Sequence, residues 1–157
     1  MKKTGFAFVL CIALSIPIVG QRLANPLDFP MQLSGGFGDL RADHYHTGID
    51  FRTKSSEGHP LHAVAGGYIS RVTVSPGGYG RAVYIIHPID CLITVYGHLQ
   101  QFTPTIAAIV KKKQYEQETF AIDISFKQGE IPVKQGEVIG LSGNSGNSGG
   151  PFRPSGT

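Results

Sequence analysis

His46-Thr47-Gly48-Ile49-Asp50 sets an imidazole and a carboxylate four positions apart around a glycine, residue types that make half of a zinc site. In an extended strand, four steps separate two side chains by roughly 13 Å, too far to share one ion. Gly48 between the β-branched Thr47 and Ile49 disfavours a helix. If both residues are ligands, the chain must bend at Gly48. A lone His-x-x-x-Asp also arises by chance, so its neighbours decide its weight. Asp43-His44-Tyr45-His46 puts two histidines on one strand face, and spacing alone does not choose between them. Arg41 follows the loop Gly35-Gly36-Phe37-Gly38-Asp39-Leu40, placed either to steer a substrate carboxylate or carbonyl or to pair with a surface acid. Gly97-His98-Leu99 offers another histidine at the end of a strand, beside a glycine that lets something approach closely; it is either catalytic or a satisfied structural residue.

The elements that must position these residues read as β-strands. Leu61–Ala65 and Tyr68–Val74 form a β segment interrupted by Gly66-Gly67, and Ser75-Pro76-Gly77-Gly78-Tyr79-Gly80 is a turn without the Lys-Ser/Thr ending of a phosphate loop. Arg81–His87 and Leu92–Tyr96 form a hairpin around Pro88-Ile89-Asp90. Thr105–Glu118 is the one helix, with Ile106, Ile109 and Val110 on one face before Lys111–Lys113 breaks into a charged, solvated stretch. Phe120–Phe126 alternates as a strand with one buried face, and Pro132–Leu141 is a turn feeding a buried strand. Gly143–Gly150, made of Gly, Asn and Ser alone, reads as a flexible loop. His59 and His62 read as ordinary surface or strand histidines.

The 157 residues suffice for one domain with a core, and 21 glycines, 10 prolines and a single helix place it in the mostly β class. Met1-Lys2-Lys3 followed by the uncharged apolar run Gly5–Gly20 reads as a secretory signal peptide, with an uncleaved membrane anchor as the rival. The expected destination is the periplasm or cell envelope, with membrane contact only through an uncleaved signal segment. Residues 21–30 are a polar, proline-bearing lead-in, and 31–157 form the domain. Cleavage after Gly20 removes Cys11 and leaves Cys91 without an intramolecular partner, so the fold rests on its core. It also removes Lys2 and Lys3, leaving twelve basic against eleven acidic residues and no electrostatic case for nucleic acid.

Phe37–Arg41, His46–Asp50, Ala63–Gly67, Pro76–Gly80, Val95–Leu99 and Val133–Gly146 together, in order and spacing, resemble the lysostaphin and LytM-type zinc endopeptidases. The resemblance covers about Met31 to Pro151 and implies a small, groove-forming antiparallel β fold with one short helical insertion. It implies hydrolysis of peptide bonds in bacterial cell-wall peptidoglycan by one Zn2+. It assigns His46 and Asp50 as metal ligands and His98 as catalytic. The family's His-x-His pair, which carries the third protein ligand, follows a Gly-Pro matching Gly150-Pro151, where this chain has Phe152-Arg153-Pro154-Ser155-Gly156-Thr157. The expectation is therefore a domain truncated at its C-terminus, by a natural end or a frameshift, and an impaired enzyme unless His44, His59, His62 or His87 substitutes. The alternative is a non-catalytic member of the fold that binds peptidoglycan or activates another hydrolase.

Overall fold

The computed structural model describes residues 22–41, 45–54 and 56–147. The signal segment, His44 and the chain beyond Asn147 lie outside the described residues. Ten strands and one helix follow in the order β1 (Leu33–Gly35), β2 (Asp50–Phe51), β3 (Pro60–His62), β4 (Gly67–Val74), β5 (Arg81–His87), β6 (Leu92–Tyr96), β7 (Gln101–Phe102), α1 (Pro104–Gln117), β8 (Ile122–Ser125), β9 (Pro132–Val133) and β10 (Val138–Leu141). All pairings are antiparallel, so the architecture is mostly β with one helix, as its composition predicts.

The largest sheet runs β6-β5-β4-β8, with β9 also on β4. The β5–β6 hairpin has the limits its residue pattern predicts. Ile69 and Val72 are both buried although three residues apart, because the ladder shifts register between Ile69 and Arg71 and the extra residue restores the core face. A second sheet, β3-β10-β7, closes the core, which is built from Ile69, Val72, Val83, Ile85, Leu99, Phe102 and Ile139 among others. The lead-in follows β3, giving Ala24 N–H to the Val64 carbonyl and accepting the His62 N–H at Pro26, with Leu27 buried beneath it.

Two expectations gain detail and a third is corrected. The interruption expected at Gly66-Gly67 is a turn at Ala65–Gly66, and it carries the chain from β3 in one sheet to β4 in the other. Helix α1 matches the expected Thr105–Glu118 to within a residue, running through Lys111–Lys113 to Gln117, since lysine is a good helix former and Glu116 pairs with Lys112 and Lys113 along the exposed side. Strand β8 covers only Ile122–Ser125, and Phe120, expected on a buried face, is largely exposed in the turn that follows the left-handed cap at Glu118. Ile106 and Val110 are the helix's fully buried residues, packed into the same cluster as Phe102 and Ile122. The unit β7-α1-β8 is thus an excursion that leaves the small sheet and returns beside β4.

Candidate active site

The short pair β1–β2 brings the first half of the site together. Gly35 lies opposite Asp50 and Leu33 opposite Phe51. The intervening chain folds back through the Leu40–Tyr45 bridge, with Gly38 N–H on the His46 carbonyl and His46 N–H on the Asp39 carbonyl. Asp39 shapes the turn by accepting the Gly36 N–H at 2.7 Å. The chain bends at Gly48, and the bend carries His46 Nε2 to 3.2 Å from Asp50 Oδ1.

The chemistry of this pair follows from its partners. His46 Nδ1 lies 2.8 Å from the Gly36 carbonyl, which only accepts, so Nδ1 carries a proton and Nε2 is the ring atom turned to Asp50. At 3.2 Å, Nε2 and the carboxylate oxygen share either a proton on Nε2 or a cation held between them. Two donors on a tetrahedral zinc, each at about 2.0–2.1 Å, stand about 3.3 Å apart, close to the separation here. The donor set therefore fits a zinc ion on two sides. Among the described residues no group of three or more His, Cys, Asp or Glu side chains stands together as a metal cluster. Asp50 Oδ2 is taken by the Arg41 guanidinium at 2.7 Å, so Arg41 follows the acid-pairing option, with a carboxylate of the site itself as partner. The His46 side chain is 16% exposed and that of Asp50 45%, so solvent reaches the pair from the carboxylate side.

His98 stands on the other side of the site, between β6 and β7. It adopts φ +56°, a left-handed conformation that costs a non-glycine residue about 1–2 kcal/mol. Its own N–H donates to the Tyr79 carbonyl, and its Nδ1 donates to the Ser145 carbonyl at 2.8 Å. Nδ1 is thereby committed and Nε2 is left as the working nitrogen. Tyr79 packs edge-on against the His98 ring, with centroids 6.0 Å apart, and its hydroxyl lies 3.3 Å from Thr47 Oγ1. One tyrosine thus links the His98 side to the His46–Asp50 bend. Gly97 admits it: a Cβ there would stand 2.9 Å from the Tyr79 ring.

Composition did not reveal the support for His98. The Gly/Asn/Ser stretch, expected to be flexible, is fastened over its described part, Gly143–Asn147. Ser145 Oγ accepts the Arg81 N–H and donates to the Leu99 carbonyl, and Asn147 N–H reaches the Gly78 carbonyl. Small residues serve here because two backbones touch: a Cβ on Gly80, at φ +63°, would lie 2.4 Å from the Ser145 carbonyl carbon. Tyr79, Thr47 and Ser145 were missed as site residues, and the only signal was an aromatic ring set among turn glycines. The remaining described histidines are engaged elsewhere. His59 bonds Ser56 and the Thr53 carbonyl, His62 bonds Asp28 and the Gly136 carbonyl, and the fully buried His87 bonds Thr94 and the Gly66 carbonyl.

Residues 44–116, which include His46, Asp50 and His98, match peptidase family M23. The segment that carries the site is thus of the M23 type, and the relatives and the solved structure that follow support the same family. It is 32% identical over 135 residues to the DD-carboxypeptidase/endopeptidase Mpg of Neisseria meningitidis serogroup B, an alignment covering 86% of this chain and 24% of that protein. An uncharacterised metalloprotease of Haemophilus influenzae is 36% identical over 106 residues, 68% of this chain and 17% of that protein. The chain thus spans about a quarter or less of the curated relatives it matches. Among solved structures, the catalytic domain of a mutant of the prophage-encoded M23 protein EnpA from Enterococcus faecalis superposes with a TM-score of 0.51. That match has 26% identity and covers 78% of this chain and 75% of that one. Members of family M23 are zinc metallopeptidases, and the mostly antiparallel β architecture with its single helix is the fold of that neighbour.

Proposed function

We propose that the chain carries a zinc endopeptidase site acting on the peptides of bacterial cell-wall peptidoglycan, and that Met1–Gly20 exports it to the cell envelope. The observation that carries this reading is the His46–Asp50 pair, whose Nε2 and Oδ1 stand about as far apart as two donors on one zinc ion, with Nδ1 committed to the Gly36 carbonyl. The M23 match and the Neisseria relative's name support the reaction class.

In this reading His46 Nε2 and Asp50 Oδ1 would hold the ion, which would supply Lewis-acid activation of water and of the scissile carbonyl. The Gly36 carbonyl fixes the His46 tautomer and strengthens Nε2 as a donor. Arg41 holds Asp50 by its other oxygen, which keeps Oδ1 aimed at the ion, and offsets the carboxylate's charge. His98, its Nδ1 held by Ser145, presents Nε2 to the substrate. From there it faces the oxygen on which charge develops, a contact whose loss costs about 3 kcal/mol in transition-state stabilisation. Tyr79 sets the distance between the His98 ring and the bend that carries the ligands.

The test is release of new amino groups from purified sacculi incubated with the full chain and zinc. The expected result is release that stops with a chelator, returns with zinc, and is lost in His98→Ala. Sacculi that bind the protein without gaining amino groups would replace this reading with the alternative, a non-catalytic wall-binding protein.

A further inference from the structure

We propose that the α1 excursion builds an accessory subsite that takes an acidic side chain of the peptide substrate; this rests on the peptidase reading above. A cavity of about 220 Å³ lies between α1, β7 and the start of β5, away from the His46–Asp50 pair. Its polar lining is one-sided. Arg81 and Lys111 are both cationic, Gln100, Gln101 and Gln114 are amides, and no carboxylate lines it. Among the described residues neither cation forms a salt bridge: Arg81 reaches only the Gln100 carbonyl, and Lys111 sits over the Tyr115 ring. Gln114 uses one N–H on the Phe120 carbonyl and keeps the other free. Phe102 contributes a buried apolar floor. The volume is below the usual range for a whole ligand, about 300–1,000 Å³, and suits a single side chain. Two unpaired cations with amide donors suit a carboxylate.

The cavity lies two residues along the chain from the catalytic side, on each of two paired segments. Tyr79 and His98 both border the site, and two residues further on, Arg81 and Gln100 both line the cavity. The two segments are tied side by side, with His98 N–H on the Tyr79 carbonyl and Leu99 N–H on the Arg81 carbonyl. Two extended residues span about 7 Å, so an extended peptide with its scissile bond at His98 would place a side chain about two residues away over Arg81 and Lys111. The helix, which supplies Lys111 and Gln114, contributes one wall of this cavity and none of the catalytic groups.

The probes are acetyl-Ala-Glu-Ala-amide and its neutral partner acetyl-Ala-Gln-Ala-amide, titrated into the full chain with and without zinc while the side-chain amide signals of Gln100, Gln101 and Gln114 are followed by NMR. The acidic peptide should shift those signals and the neutral one should not. Arg81→Gln and Lys111→Gln should each weaken the acidic peptide about three- to fivefold, the range expected for a solvent-accessible ion pair. Lys111→Glu, on the exposed side of α1, should repel it and serves alone if the Arg81 variant fails to fold. Equal shifts from both peptides, no shift from either, or unchanged binding in Lys111→Glu would overturn the subsite. Amide shifts from the acidic peptide in a chain that releases no amino groups from sacculi would keep the subsite and sink the peptidase reading. Hydrolysis whose preference for acidic over neutral peptides survives Lys111→Glu would do the reverse.

Discussion

Gly80→Ala tests whether the backbone contact under His98 holds the catalytic side in place. Gly80 has φ +63°, and alanine in that region costs about 1 kcal/mol. The added Cβ would also lie 2.4 Å from the Ser145 carbonyl carbon and 2.5 Å from the Gly146 nitrogen, against ordinary contact of 3.4–4 Å. The 143–147 segment must therefore retreat by about 1 Å, and overpacking of that kind costs about 1–3 kcal/mol. The sum, about 2–4 kcal/mol, corresponds to a fall in melting temperature of about 10 °C. Gly129→Ala is the control, because Gly129 has φ +73° but nothing within 4 Å of its added Cβ, which leaves only the conformational cost of about 1 kcal/mol. Thermal melts of both variants isolate the steric part by difference. Because Ser145 moves, its carbonyl leaves His98 Nδ1, so the imidazole ¹⁵N spectrum of His98 should lose its single Nδ1–H tautomer in Gly80→Ala and keep it in Gly129→Ala. Equal melting temperatures with unchanged His98 spectra in both variants would refute the contact as the support of the site.

Tyr79→Phe removes the hydroxyl facing Thr47 but keeps the ring on His98. Stability should change by no more than about 1 kcal/mol, while amino-group release from sacculi falls several-fold, and a loss of stability matched by full activity would contradict the bridging role. Tyr96→Phe leaves the Val64 N–H without its acceptor and should cost about 1–3 kcal/mol by denaturant unfolding. Burial pushes the Tyr96 hydroxyl above its ordinary value, so the folded state holds that proton longer than the unfolded state. Stability from this group is full below about pH 10 and is lost as pH rises through the folded value, a slope that Tyr96→Phe should remove in alkaline unfolding curves.

The parts of the fold legible in the sequence are those with strong local patterns. Arg81–His87 and Leu92–Tyr96 are uninterrupted β-branched and aromatic runs around a turn, and they form the predicted hairpin. Gly66-Gly67 marks the interruption within residues 61–74, but nothing local says that the chain changes sheet there; that follows from which layer each strand closes. In the site, the bend at Gly48 was legible because its geometry is required if His46 and Asp50 share an ion. The roles of Tyr79 and Ser145 were not, since each depends on a contact 19 or more residues away, Tyr79 with His98 and Ser145 with His98, Leu99 and Arg81. Glycine and serine between Gly143 and Asn147 read as freedom in one dimension and serve as close packing in three.

The central claim, that His46 and Asp50 hold a zinc ion, is tested most directly by equilibrium dialysis of the purified chain against buffered zinc, with metal content read by mass spectrometry. The prediction is one saturable zinc per chain, with affinity lowered at least about tenfold by His46→Ala and by Asp50→Ala, while His62→Ala, at a histidine already paired with Asp28, leaves it unchanged. Zinc bound equally well by the His46 and Asp50 variants would place the ion elsewhere and contradict the account.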